Sequence, residues 1–166
     1  GLDGDWLGVA VASGDFDDDG EPDFAVSAPS SGGGRVVVRT RCGGSCWDQP
    51  TELRQGTNGV NDTAEDGDGF GHALAVGDFD DDGYDDLAVG VYGEAWSGVA
   101  GDHHGAVHLF YGSPAGLDGT RDLLFGEHQL NGLREDGDRF GEVLAAGDLD
   151  GDGFDDLAIG VPQEDY

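Results

Sequence analysis

Three stretches of this chain share one spacing: DFDDDGEPD from Asp15, DFDDDGYDD from Asp78 and DLDGDGFDD from Asp148. Each reads D-x-D-x-D-G-x-x-D. The second places six aspartates within nine residues. Carboxylates so close together raise one another's pKa or require a counter-charge. In a loop that curls round an ion, positions one, three and five turn their carboxylates inward. Glycine at six allows the sharp turn, the carbonyl at seven donates whatever its side chain, and a carboxylate at nine closes the shell. The expected ligands are Asp15, Asp17, Asp19, Glu21 and Asp23 in the first loop. They are Asp78, Asp80, Asp82, Tyr84 and Asp86 in the second, and Asp148, Asp150, Asp152, Phe154 and Asp156 in the third. Glu21, Tyr84 and Phe154 enter through their backbone carbonyls. An all-oxygen, carboxylate-rich set suits calcium better than magnesium, and the loops hold no thiolate or imidazole for zinc. The expectation is three Ca2+ sites. An EF-hand needs a glutamate at position twelve. That position holds Val26, Val89 and Ile159, in apolar runs. Asp18 and Asp81 are expected in solvent. Asp85 and Asp155, at position eight, point outward or support the ligands from behind.

The loops must be held by something rigid. Apolar runs flank each one, such as Ala73–Val76 before the second loop and Leu87–Val91 after it. Short apolar runs bounded by glycine and aspartate read as buried strands. The whole unit recurs from Asp3, Asp66 and Asp136, and the second and third copies agree at roughly two-thirds of positions. Weaker strand signals follow at 34–40 and 51–55, and again at 105–113 and 121–130. One period therefore holds about four short strands, the content of a propeller blade.

Phe70-Gly71 and Phe140-Gly141, with Leu7-Gly8 as a variant, precede each acidic loop. Ser27-Ala28-Pro29, Gly90-Val91-Tyr92 and Gly160-Val161-Pro162 follow it. Together these resemble the FG-GAP repeat of integrin alpha-subunit propellers and of many secreted bacterial proteins. The resemblance implies an all-β fold of β-propeller blades, each a four-stranded antiparallel sheet, with calcium in the blade loops. The chain would hold about two and a half repeats, at 3–65, 66–135 and 136–166. A seven-blade ring of this period needs on the order of 450 residues. The remaining blades are expected from the same parent chain or from other copies.

The formal charge is −29, with 36 acidic residues against seven arginines. This field argues against nucleic acid and anionic membrane surfaces as partners. No apolar run is long enough to span a bilayer, so no membrane insertion is expected. Cys42 and Cys46 form a bridgeable pair, expected as a local disulfide in an oxidising compartment. Among the histidines, His72 and His108 fall at alternating strand positions and are expected to face solvent. His103 and His104 lie in a long loop. No hydrolase or phosphate-loop motif is present, and the expected role is not enzymatic.

The resemblance points to an extracellular, calcium-binding adhesion module. Its blade loops would take a protein or glycan ligand, with 92–104 and 41–47 as candidate contact segments. Tyr92, Trp96 and Trp47 either supply contact area there or pack between blades. Two alternatives are the non-catalytic portion of a secreted enzyme (a phospholipase, peptidase or polysaccharide-active protein) and a purely structural calcium-stapled scaffold.

Overall fold

The computed structural model describes residues 6–30, 32–41, 46–96, 103–130 and 137–163. Among the described residues, ten strands form three antiparallel sheets. The first sheet holds β1 (Val11–Gly14), β2 (Asp23–Ala28), β3 (Arg35–Arg39) and β4 (Thr51–Leu53) in that spatial order. The second holds β5 (Ala73–Gly77), β6 (Asp86–Val91), β7 (Ala106–Phe110) and β8 (Asp122–Phe125). The third pairs β9 (Val143–Gly147) with β10 (Asp156–Gly160). These sheets are blades of a partial propeller.

Each acidic loop joins the first two strands of its sheet, and register is the same in all three. Gly14 pairs with Asp23, Gly77 with Asp86 and Gly147 with Asp156. Position nine of every loop is thus the first residue of the returning strand. The strand expected at 121–130 is shorter than its pattern suggested. It stops at Phe125, and Glu127–Leu130 forms a 3-10 turn instead. The Gln129 side chain accepts the Gly126 amide at 2.7 Å, which closes that turn locally and takes the chain out of the ladder.

Sheets stack face to face. One core lies between the first two and includes Phe16, Val36, Val38, Leu53, Phe70, Leu87 and Phe110. A second, between the second and third, gathers Ala75, Ala88, Val107, Leu109 and Phe140. The phenylalanine of each Phe-Gly pair is the wedge of its seam. Phe70 bridges Gly34 of the preceding sheet in parallel, and Phe140 bridges Gly105 in the same way. Leu7, the first repeat's variant, is largely exposed, and so are Trp6, Val11, Val143 and Leu149. Uncovered faces of this kind are what a stack of blades presents at its ends.

The middle sheet is enclosed on both sides, and β6 and β7 are buried at every residue. This overturns the expectation for His108. It is fully buried, with Phe70 edge-on at 5.2 Å and Phe110 stacked at 5.9 Å. Its Nδ1 contacts the Asp122 carboxylate at 2.9 Å. A strand buried on both faces has no solvent side for alternation to mark. His72 is half-buried rather than solvent-facing, its ring 4.6 Å from that of Tyr92.

Candidate metal centres

The three loops fold alike because the first aspartate organises each turn. Asp15 accepts amides from Asp19 at 3.0 Å and Gly20 at 2.9 Å. Asp78 accepts those of Asp82 at 3.1 Å and Gly83 at 2.9 Å. Asp148 accepts those of Gly151, Asp152 and Gly153. Glycine at position six holds φ of +83°, +92° and +99° in the three loops, a conformation that disfavours any side chain. At position five, Asp19, Asp82 and Asp152 accept the amides of Glu21, Tyr84 and Phe154.

Position nine ties the loop to the sheet. The Asp23 carboxylate accepts from Phe16 and Arg41, and that of Asp86 from Phe79 and Gly112. Asp156 accepts from Leu149 at 3.0 Å. Burial pushes the Asp86 carboxyl up to about 6 against these two hydrogen bonds, and raises Asp23 likewise.

The carboxylates converge. Oxygens of Asp15, Asp17 and Asp19 lie within 4.8 Å of one another, as do those of Asp78, Asp80 and Asp86, and of Asp148, Asp150 and Asp156. The first loop therefore gathers positions one, three and five, and the others gather one, three and nine. Asp23, Asp82 and Asp152 stand outside those closest groups. The Glu21 side chain turns away to an ion pair with Arg41 at 2.9 Å. Burial and repulsion from neighbouring carboxylates hold Asp17 and Asp80 above the usual carboxylate range. Arg121 sits 3.7–3.8 Å from Asp82 and Asp80, a partial counter-charge at the loop rim. A dense set of hard oxygen donors, short of positive charge, fits a hard divalent cation. Asp18 and Asp81 are exposed, both at positive φ.

Position eight does something else. The Asp85 carboxylate accepts the Asp15 amide of the preceding sheet at 2.8 Å. Asp155 accepts the Asp78 amide at 3.2 Å. These aspartates fasten one blade to the next. Residues 70 and 77 positions apart carry no local signal for such a pairing. The repeated glycine before position one was the available clue, since a Cβ on Gly14 would lie 2.7 Å from Asp85 Oδ2 and one on Gly77 would lie 2.8 Å from Asp155 Oδ2.

The candidate contact aromatics divide. Trp96 is partly buried, donates to the Gly105 carbonyl at 2.9 Å and meets His128 edge-on, so it packs within the blade. Trp47 packs against Phe24 at 5.6 Å and remains 40% exposed. Tyr92 lines a recess of about 430 Å³ with Trp6, Pro29 and His72. Cys42 lies outside the described residues, as do 97–102 of the longer candidate segment.

Among the described residues, no helix is long and apolar enough to cross a membrane. The FG-GAP repeat family matches at residues 7–38, 70–110 and 140–166. The chain is 34% identical to integrin alpha-PS2 of Drosophila melanogaster over 98% of its own length, which is 11% of that protein. It is 33% identical to integrin alpha-4 of Xenopus laevis, covering 95% of this chain and 14% of the relative. It is also 33% identical to phosphatidylinositol-glycan-specific phospholipase D of Mus musculus, covering 94% of this chain and 18% of the relative. The chain thus spans less than a fifth of the length of these relatives. Its repeated strand-loop-strand units, their Phe-Gly wedges and these matches make it a member of the FG-GAP repeat family.

Proposed function

We propose that residues 1–166 form one calcium-dependent binding segment of an extracellular propeller, with one Ca2+ in each acidic loop. The observation that carries this reading is the threefold convergence of carboxylate oxygens at the same turn of each blade. The ion staples the turn between the first two strands and offsets a large negative charge. The integrin relatives support adhesion to a protein or surface glycan. The recess of Trp6, Pro29, His72 and Tyr92 supplies a partly apolar surface for such a ligand. The remaining blades come from a parent chain or from further copies. The Cys42–Cys46 bridge is part of this extracellular reading.

The phospholipase D relative favours a second reading, in which the segment is the non-catalytic portion of a secreted enzyme. Calcium plays the same part in both. The test is thermal unfolding in calcium, in magnesium and in chelator at matched ionic strength. A calcium-specific rise in midpoint supports the proposal, and equal midpoints overturn it. Glycan and matrix-protein arrays probed with and without calcium then separate an adhesive surface from a scaffold.

A further inference from the structure

A second kind of acidic cluster lies away from the three loops. Asp62 and Glu65 come from the connection between β4 and β5, and Glu94 from the connection between β6 and β7. One carboxylate oxygen from each lies within 4.8 Å of the others. The cluster borders a cavity of about 600 Å³, also lined by Asn61, Trp96 and Asp122. Asp62 and Glu65 are exposed, but Glu94 is 1% exposed. Among the described residues, no ion pair reaches any of the three.

Gln55 points to what belongs there. Its residue is 2% exposed, and its Nε2 donates to Glu94 Oε2 at 2.7 Å. Its Oε1 is buried and has no hydrogen-bond partner. While Glu94 is ionised, turning the amide over would set that carbonyl against the carboxylate, so the oxygen stays unpaired beside Glu94. A buried carbonyl left unpaired is unfavourable and calls for a partner. A cation is a partner that an amide carbonyl and three carboxylates can share. Without a cation, burial and repulsion from Asp62 and Asp68 push the Glu94 carboxyl up to about 8.

We propose that Asp62, Glu65 and Glu94, together with the Gln55 side-chain carbonyl, form a site for a hard divalent cation of the calcium class, independent of the acidic loops. Its ligands come from both of the first two repeats, so the ion bridges the seam between them. A neutral Glu94 is the competing arrangement, with its proton shared with Asp62 or donated to a turned-over Gln55 carbonyl.

Trp96 lines the same cavity and provides a local reporter. Terbium, a calcium surrogate, is titrated into the full chain with tryptophan excitation, and bound calcium is counted by equilibrium dialysis. The expected result has two parts. Trp96→Phe removes one component of the emission. Glu94→Gln removes that same component and lowers bound calcium by one ion per chain. Glu65→Gln, at an exposed position, weakens the component about tenfold or more. If Glu94→Gln does not fold, Glu65→Gln alone decides. Unchanged ion count and unchanged Trp96-dependent emission in the folded variants overturn the site in favour of the neutral Glu94.

Discussion

Asp85 and Asp15 exchange two hydrogen bonds across the seam of the first two sheets. The Asp15 amide donates to the Asp85 carboxylate at 2.8 Å, and the Asp85 amide donates back to the Asp15 carbonyl at 3.1 Å. Asp15 is also position one of an acidic loop. The contact therefore couples the shape of that loop to the packing of the next blade. Asp85→Ala should lower stability by about 1.5–3 kcal/mol, the range for a hydrogen bond to a charged group. Asp85→Asn should recover part of that. Urea unfolding measures both, and a neutral Asp85→Ala would show that the seam does not depend on the contact.

Close approach at the next seam leaves no room for a methyl group. A Cβ on Gly77 would meet Asp155 Oδ2 at 2.8 Å and its Cβ at 3.0 Å. Gly77→Ala should destabilise by about 1–3 kcal/mol through overpacking. Gly32 has nothing within 4 Å and an ordinary φ, so Gly32→Ala should be neutral or slightly stabilising. Equal effects in the two variants would refute the steric account.

Loop variants should subtract calcium sites one at a time. Asp17→Asn, Asp80→Asn and Asp150→Asn each remove a carboxylate from a different converging group. Each intact site contributes roughly 2.7 kcal/mol when calcium stands at a hundredfold excess over its dissociation constant. Each variant should lose about that much in calcium and little in chelator. Differential scanning calorimetry in both media is the measurement.

Stability in chelator should fall as pH rises. Glu94 is raised from 4.5 to about 8, chiefly by burial, and Asp86 and Asp68 from 3.8 to about 6 for the same reason. Between the unfolded and folded pKa values the native state holds more protons than the unfolded chain, so stability decreases with pH. The contribution is present below about pH 4 and is lost through about 6 and then 8. Calcium should flatten the upper part of this curve. A stability that climbs from pH 4 to 8 in chelator contradicts the assignment.

Asp122 supports the middle sheet from inside. Its carboxylate meets His108 Nδ1 at 2.9 Å and accepts the Asn61 amide at 2.7 Å. Asp122→Ala strands a buried imidazole between Phe70 and Phe110 and should cost about 1–3 kcal/mol. His108→Phe in the same background should restore stability if the loss comes from the orphaned ring. Chemical denaturation of the single and double variants decides.

The strands and loops were legible because their signals are local. D-x-D-x-D-G and its apolar flanks fall within one turn and two strands, and three copies average out chance. What was not legible depends on distance or on enclosure. Asp85 reads as an outward-pointing carboxylate or a support behind the ligands until the preceding blade is placed beside it. His108 occupies an alternating pattern whose solvent side does not exist once sheets cover both faces. Glu94 and Asp62 lie 32 positions apart in connections of ordinary composition, and only the stacking of two repeats brings them together. The shortened β8 turns on one glutamine side chain folding back onto Gly126.

The fastening at position eight has a grammar. Each carboxylate there grips a main-chain amide of the repeat before it, and an amide is the same whatever residue carries it. The joint needs the later repeat's carboxylate and, in the earlier repeat, the glycine before position one that leaves room for it. Asp85 and Asp155 supply that grip, while Pro22 holds the equivalent place in the first repeat and brings no carboxylate to it. Repeats of the Asp85 kind fit behind a neighbour that carries glycine before position one, as all three repeats do at Gly14, Gly77 and Gly147. A repeat of the Pro22 kind can be followed but cannot hold on to a predecessor by this means, so permuting the order of the repeats should be tolerated in one direction and not in the other.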